Sequence, residues 1–145
     1  MAYHRMTDRE VESFLASSPA RPGTLATTRA DGRSHVAPVW FVTDDNGDIL
    51  FNTGRDTVKG QNLARTLFAA LCVQDDRAPY SFVTIEGVVV LSDGLEEVRK
   101  WAAIIGGRYM GADRAEEFGL RNGVEGELLV RLHPDRIVSA ADVAD

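Results

Sequence analysis

The 145-residue chain carries 22 acidic and 16 basic side chains, a formal charge of −6, with 44% apolar residues. That size and apolar content suit one cored domain over residues 1–145, and the acidic balance argues against nucleic acid or an anionic membrane surface as partner. Cys72 is the sole cysteine, so no intrachain disulfide framework is available.

The first residues lack the apolar run of a signal peptide, and no window approaches the roughly 20 apolar residues of a membrane span. A cytoplasmic protein without membrane insertion is therefore expected. Thr7 followed by Glu10 is a capping-box pattern. Val11, Phe14 and Leu15 then give one apolar face to a short helix that Ser17-Ser18-Pro19 ends. From Gly23 to Leu91 the texture is mostly strand. Gly23–Thr28 is a first strand, Asp31-Gly32 a hairpin turn, and His35–Val42 the return strand. Asp44-Asp45-Asn46-Gly47 is a second turn, and Ile49–Thr53 the next strand. Pro38 donates no ladder hydrogen bond, so its strand is an edge or is broken there, with or without a ligand on the freed backbone.

Asp56 or Thr57 caps a helix running to about Arg65. Leu67–Gln74 and Tyr80–Leu91 read as two more strands, with Gly87 as a bulge. Asp93 and Glu96 make a second capping box ahead of the helical stripe Leu95, Val98, Trp101, Ala102 and Ile105. Gly106-Gly107 is expected to break that helix. Ala112–Leu120 reads as a further helix, and Gly126–His133 as the closing strand before Pro134. One antiparallel barrel with helices at its ends explains this order best.

The stretch Asn52-Thr53-Gly54-Arg55-Asp56-Thr57-Val58-Lys59-Gly60-Gln61-Asn62 runs from a strand end through a glycine into a helix start. A helix N-terminus offers unpaired N–H groups and partial positive charge, which favour an anion. Lys59 at that end, with Arg55 before it, is unfavourable without a negative group nearby, and the Thr53 and Thr57 hydroxyls add to a phosphate site. A simple capped surface helix fits the same spacing, because Asp56 offsets part of the charge. Other chemistries find less support. His4, His35 and His133 lie far apart, and no paired-cysteine spacing exists, so no metal site is expected. There is no Gly-x-Ser-x-Gly elbow for a hydrolase, and Ser34 and His35 point to opposite strand faces. Cys72 and Trp101 sit in apolar patterns and read as packing residues. Gly106-Gly107 follows a helix and is not a dinucleotide fingerprint.

The segment from Gly23 to Phe41 resembles the opening hairpin of the pyridoxamine 5'-phosphate oxidase-like superfamily, and more narrowly that of the flavin/deazaflavin oxidoreductases. Lys59-Gly60-Gln61-Asn62-Leu63-Ala64-Arg65 resembles their cofactor-phosphate helix. Phe82-Val83-Thr84-Ile85-Glu86-Gly87 resembles the following strand, and Arg108-Tyr109-Met110-Gly111 the later helix end. The match spans about Thr7 to Ala140. It implies a mostly β fold with peripheral helices, an antiparallel, Greek-key-like split β-barrel that forms a homodimer with two cofactor sites at the interface. It also implies that backbone groups of Val36, Ala37, Pro38 and Val39 face a flavin-like ring, while Arg55, Lys59 and neighbouring hydroxyls hold the phosphate; Asn62 belongs to the same Lys-x-x-Asn-Leu helix.

Arg131-Leu132-His133 is similar to the substrate-binding Arg-Leu-His of the oxidase itself, but Pro134 follows at once, and the segment reads as the closing strand. The short length and the Lys-x-x-Asn-Leu helix place the chain nearer the deazaflavin branch. The resemblance therefore implies coenzyme F420 as cofactor, with FMN as the alternative, and hydride transfer to a conjugated small organic acceptor; no catalytic side chain is required. Arg55, Lys59 and Arg65 would form a basic track for the longer F420 tail. The competing function is a carrier that binds the cofactor without turnover.

Overall fold

Strand order explains how the chain closes on itself. The computed structural model describes residues 4–145 as eight strands and four α-helices. The strands run β2-β1-β5-β6-β7-β4-β3, with β8 beside β6. They are β1 (Gly23–Thr28), β2 (Ser34–Val39), β3 (Val42–Thr43), β4 (Ile49–Gly54), β5 (Phe68–Asp75), β6 (Ser81–Ser92), β7 (Glu127–Leu132) and β8 (Arg136–Ala140). The helices are α1 (Asp8–Leu15), α2 (Val58–Thr66), α3 (Leu95–Met110) and α4 (Ala115–Asn122), with a 3₁₀ turn at Ala112–Arg114. Every pairing is antiparallel. This is the mostly β split barrel with peripheral helices that the sequence implies.

The 12-residue β6 joins the two halves. Its early residues pair with β8 and its later ones with β7. The exchange falls at Gly87, where an added Cβ would lie 1.8 Å from the His133 carbonyl oxygen. Gly87 is thus not the expected bulge, since β5 pairs with β6 in unbroken register past it. It is a close approach of two backbones, one that only glycine permits.

Local chemistry sets the turns. Gly32 and Gly47 both have positive φ, the left-handed conformation that glycine adopts freely. The Asp44 carboxylate accepts from the Asn46 and Asp48 N–H groups, an Asx arrangement that shapes the second turn. Thr7 caps α1 as expected, its Oγ1 accepting from the Glu10 N–H.

Inward residues of both halves, among them Leu25, Phe51, Leu71, Ile85 and Val130, form the barrel core. A second cluster on the other face of the β4–β7 pair joins Leu50 and Leu129 to Val98 and Ile105 of α3. Strand β4 is therefore covered on both faces, which is why Ile49-Leu50-Phe51 is continuously apolar rather than alternating.

Four further expectations are corrected. The return strand does not run to Val42: it stops at Val39, and a separate β3 resumes after Trp40-Phe41. Asp93 does not cap α3, whose N-cap is Gly94 without a side-chain bond; its carboxylate pairs with Arg55 at 2.9 Å. The chain does not close at His133, because β8 follows Pro134. That strand is largely exposed on the sheet edge, so little apolar patterning announced it. Lastly, Gly106-Gly107 does not break α3, which passes through both. Added Cβ atoms there would lie 2.2 Å from the Phe118 Cβ and 3.1 Å from the Ala115 Cβ, so the glycines let α4 lie close against α3.

Gly106→Ala tests that role. Alanine favours a helix over glycine by about 1 kcal/mol, yet overpacking of this kind costs about 1–3 kcal/mol. Urea unfolding should show a net loss of stability, and a raised midpoint would contradict the close-packing role.

Candidate active site

Helix α2 begins on a crowded base. The Thr57 Oγ1 accepts from the Gly60 N–H at 3.1 Å and donates to the Gly54 carbonyl at 2.7 Å. It also lies 3.2 Å from the buried Thr53 hydroxyl. A Cβ on Gly60 would come within 2.1 Å of the Gly54 carbonyl oxygen, so the first turn rests directly on the preceding loop. No acidic residue sits in that turn. Lys59 projects from it with no carboxylate within ion-pair distance among the described residues. A lysine at the positive end of a helix raises the local potential and favours an anion.

The opposite wall is built where β2 ends. Strand β2 lies at the sheet edge, which agrees with Pro38 in its interior. Beyond Val39, the Phe41 N–H donates to the Tyr109 hydroxyl at 3.2 Å and the Phe41 carbonyl accepts from Arg108 at 2.7 Å. These bonds turn the chain out of the ladder and present Trp40. Its ring stacks on Tyr109, with centroids 5.2 Å apart and planes within 4°, and meets Phe118 edge-on. Arg108 also donates to the Leu15 and Ser17 carbonyls. Burial pushes its pKa down and that of Tyr109 up, but a guanidinium stays charged.

Between these walls lies a cleft of about 380 Å³, lined by Pro22, Pro38, Val39, Trp40, Asn52, Lys59, Ile105, Asn122 and Glu127. It has an aromatic and aliphatic side and a polar side. The Asn52 Nδ2 is buried there without a hydrogen-bond partner. The Glu127 carboxylate lies over Gly54, where a Cβ would be 3.1 Å from its Oε2. Burial holds the Glu127 carboxyl above the usual carboxylate range, and Lys59 pulls it the other way.

Of the residues singled out from sequence, Pro38, Val39 and Lys59 meet in this cleft. Val36 is exposed on the outer sheet face and Ala37 is half-buried on the inner one. Thr53 and Thr57 support the base of α2. Arg55 is engaged by Asp93 at the surface. Asn62 is buried, donating to the Thr27 hydroxyl and accepting from Arg65, so it ties α2 to β1 and does not line the cleft. Arg65 also donates to the Thr28 carbonyl. It lies six positions after Lys59 in the helix, about 9 Å along the axis and on another face, so no continuous basic track forms. Cys72 is half-buried on the outer face of β5, and Trp101 packs against the second core cluster. Sequence reading missed Asn52, Trp40 and Glu127 as cleft residues. An Asn directly after Leu50-Phe51 in a buried strand was the one available signal.

An antiparallel split barrel with a cleft between its edge strand and a cationic helix start defines the class of protein. The chain belongs to the pyridoxamine 5'-phosphate oxidase family, whose pattern matches residues 7–138. Among solved structures it is similar to the conserved hypothetical protein Rv2991 of Mycobacterium tuberculosis, at 26% identity and a TM-score of 0.81, over 94% of this chain and 86% of that one. It also resembles a protein described as an F420 reductase, at 23% identity and a TM-score of 0.68, over 87% of this chain and 94% of that one. A FAD-binding protein of Mesorhizobium loti matches at 12% identity and a TM-score of 0.70, over 97% and 98%. No curated protein sequence matches the chain.

The raised Glu127 pKa makes a signed prediction. A carboxyl that holds its proton more tightly when folded contributes stability below its unfolded pKa of about 4.3. That contribution is lost as pH rises through the higher folded value. Glu127→Gln should therefore gain stability over the parent at pH 7 relative to pH 4, measured by urea unfolding. A pH-independent difference would contradict the assignment.

Proposed function

We propose that the protein is a flavin- or deazaflavin-dependent oxidoreductase, with coenzyme F420 as cofactor and FMN as the alternative, acting on a conjugated small organic acceptor. The observation that carries this reading is the cleft itself. It sets Lys59, unpaired among the described residues at a helix start, opposite the end of edge strand β2 at Pro38-Val39 and the exposed part of Trp40. The family membership and the structural likeness to an F420 reductase and a FAD-binding protein support the same reading.

The residues fit such a group. Lys59 and the first turn of α2 would hold a phosphate, with Arg55 joining on release from Asp93, an exposed pair worth about 1 kcal/mol or less. The backbone of Val36–Val39, the uncovered edge of β2, would face the ring. When bound, the cofactor supplies the hydride-carrying ring. The chain supplies position, a partly apolar wall and a fixed positive charge.

A homodimer belongs to this proposal. On the outer sheet face, Pro38, Thr24, Cys72, Thr84 and Val138 line up across β2, β1, β5, β6 and β8. Val36, Phe68 and Val88 stand exposed on the same face. Such a face with open edges is what a two-fold partner covers. Cleft residues Pro38 and Val39 adjoin it, so a partner would complete the site.

Two measurements test this function. Lys59→Ala should weaken binding of FMN or F420 about tenfold or more without lowering the melting temperature; unchanged affinity for both would overturn the phosphate assignment. Light scattering should give about twice the chain mass of 15.9 kDa, and a stable monomer that binds cofactor would overturn the shared site. Oxidation of reduced F420 on addition of quinone-like acceptors separates an enzyme from a carrier.

A further inference from the structure

A site for an anion has no evident use for a carboxylate, yet one stands at the start of α2. Glu127 is the ladder partner of Gly54, the last residue of β4. A Cβ on Gly54 would lie 3.1 Å from both the Glu127 Oε2 and the Thr57 Cγ2. Thr57 caps α2 through the Gly60 N–H, and the Val58 and Lys59 N–H groups find no acceptor among the described residues. The carboxylate therefore stands beside the free donors of the helix start, on the side of the cleft that Lys59 also lines.

Glu127 is neither neutralised nor sealed. Among the described residues its oxygens take no hydrogen bond and close no ion pair, and unlike the Asn52 Nδ2 they are open to the cleft. Lys59 on α2 is the charge that acts on it. The groups that β4 and α4 turn to the cleft, Asn52 and Asn122, are uncharged. Arg55 in the adjoining loop turns its guanidinium to Asp93, while Arg121 and Glu125 are exposed and do not line the cleft.

A phosphate held by Lys59 and the first turn of α2 would thus lie between one positive charge and one negative charge. Its repulsion by Glu127 grows in proportion to the charge it carries. A phosphodiester keeps a single charge, whereas a phosphomonoester loses its second proton at about pH 6. Without the carboxylate, Lys59 and the helix start would reward the doubly charged form.

We propose that Glu127 is a specificity-determining residue that discriminates against a doubly charged phosphate, so that the site suits a phosphodiester better than a phosphomonoester. This rests on the reading of the cleft as the cofactor site and sharpens it. The phosphate of F420 is a diester and that of FMN a monoester, so this one carboxylate separates the two cofactors.

The test uses two matched pairs at pH 8: FMN and its phosphate methyl ester, and the corresponding pair built on the deazaflavin ring of F420. Affinities are measured by fluorescence titration with the full chain. The parent should bind each diester more tightly than its monoester. Glu127→Gln, which removes the charge and keeps the shape, should shift that ratio about threefold or more toward the monoester. Both ligands of a pair meet the same protein, so any change in folding stability cancels from the ratio. Lys59→Ala should weaken all the ligands that bind. A ratio unchanged in Glu127→Gln, or a parent that prefers the monoester, would overturn the proposal while leaving the Lys59 assignment standing. Binding of none of the four ligands by the parent, or affinities unaltered in Lys59→Ala, would overturn the reading of the phosphate site and this proposal with it.

Discussion

One clasp, built from adjacent residues near the end of α3, holds the site side of the molecule together. Arg108 donates to the carbonyls of Phe41, Leu15 and Ser17. Tyr109 accepts from the Phe41 N–H and donates to the Arg21 carbonyl at 2.8 Å. Two side chains thereby join the end of α1, the segment leading into β1, the gap between β2 and β3, and α3. A half-buried guanidinium normally needs a carboxylate. Here it is solvated by carbonyl oxygens and by the faces of Phe41 and Tyr109, each about 5 Å from its centre. Since Phe41 spends both its backbone groups on the clasp, the ladder cannot continue through it. The break after Val39 and the placement of Trp40 are consequences.

The same region shows how fold and function divide the polar groups. Most are engaged in holding elements together: Thr57 caps α2, Asn62 and Arg65 tie α2 to β1, and Asp93 pairs with Arg55. The exceptions are few. Asn52 has a buried donor without a partner, and Lys59 and Glu127 lie on the same polar side of the cleft without closing into an ion pair. The other orphaned buried nitrogen is the His35 Nδ1, on β2 opposite Thr27 and one residue before the backbone run predicted to face the ring. Lys59, without a carboxylate partner among the described residues, marks the cleft it lines as a place where an anionic ligand completes the bonding.

Much of this architecture was legible in the sequence because its signals are local. Thr7 and Thr57 announce helix starts by their side chains, Asp31-Gly32 and Asp44–Gly47 announce turns by the conformations they favour, and Pro38 announces an edge by the hydrogen bond it cannot make. Lys59 was legible as an unexplained charge. What stayed hidden depends on contacts between distant segments. Gly106 reads as a helix breaker until Phe118 is seen against it, and Gly87 as a bulge until the His133 carbonyl is placed beside it. Glu127 reads as an ordinary strand residue until the register sets it opposite Gly54. Asp93 offers a plausible cap, and only the fold brings Arg55 near enough to claim its carboxylate. Arg65 joins a basic track in the sequence but turns to a different helix face in space.

The claim that unites these observations is that ligand binding completes the bonding of the cleft between the end of β2 and the start of α2. Amide hydrogen exchange of the protein with and without saturating F420 or FMN tests it most directly. The account predicts added protection at Val36–Val39 and at residues 57–61, with no change at the opposite end of α2 around Arg65. Protection confined to other surfaces, with these two segments unchanged, would contradict it.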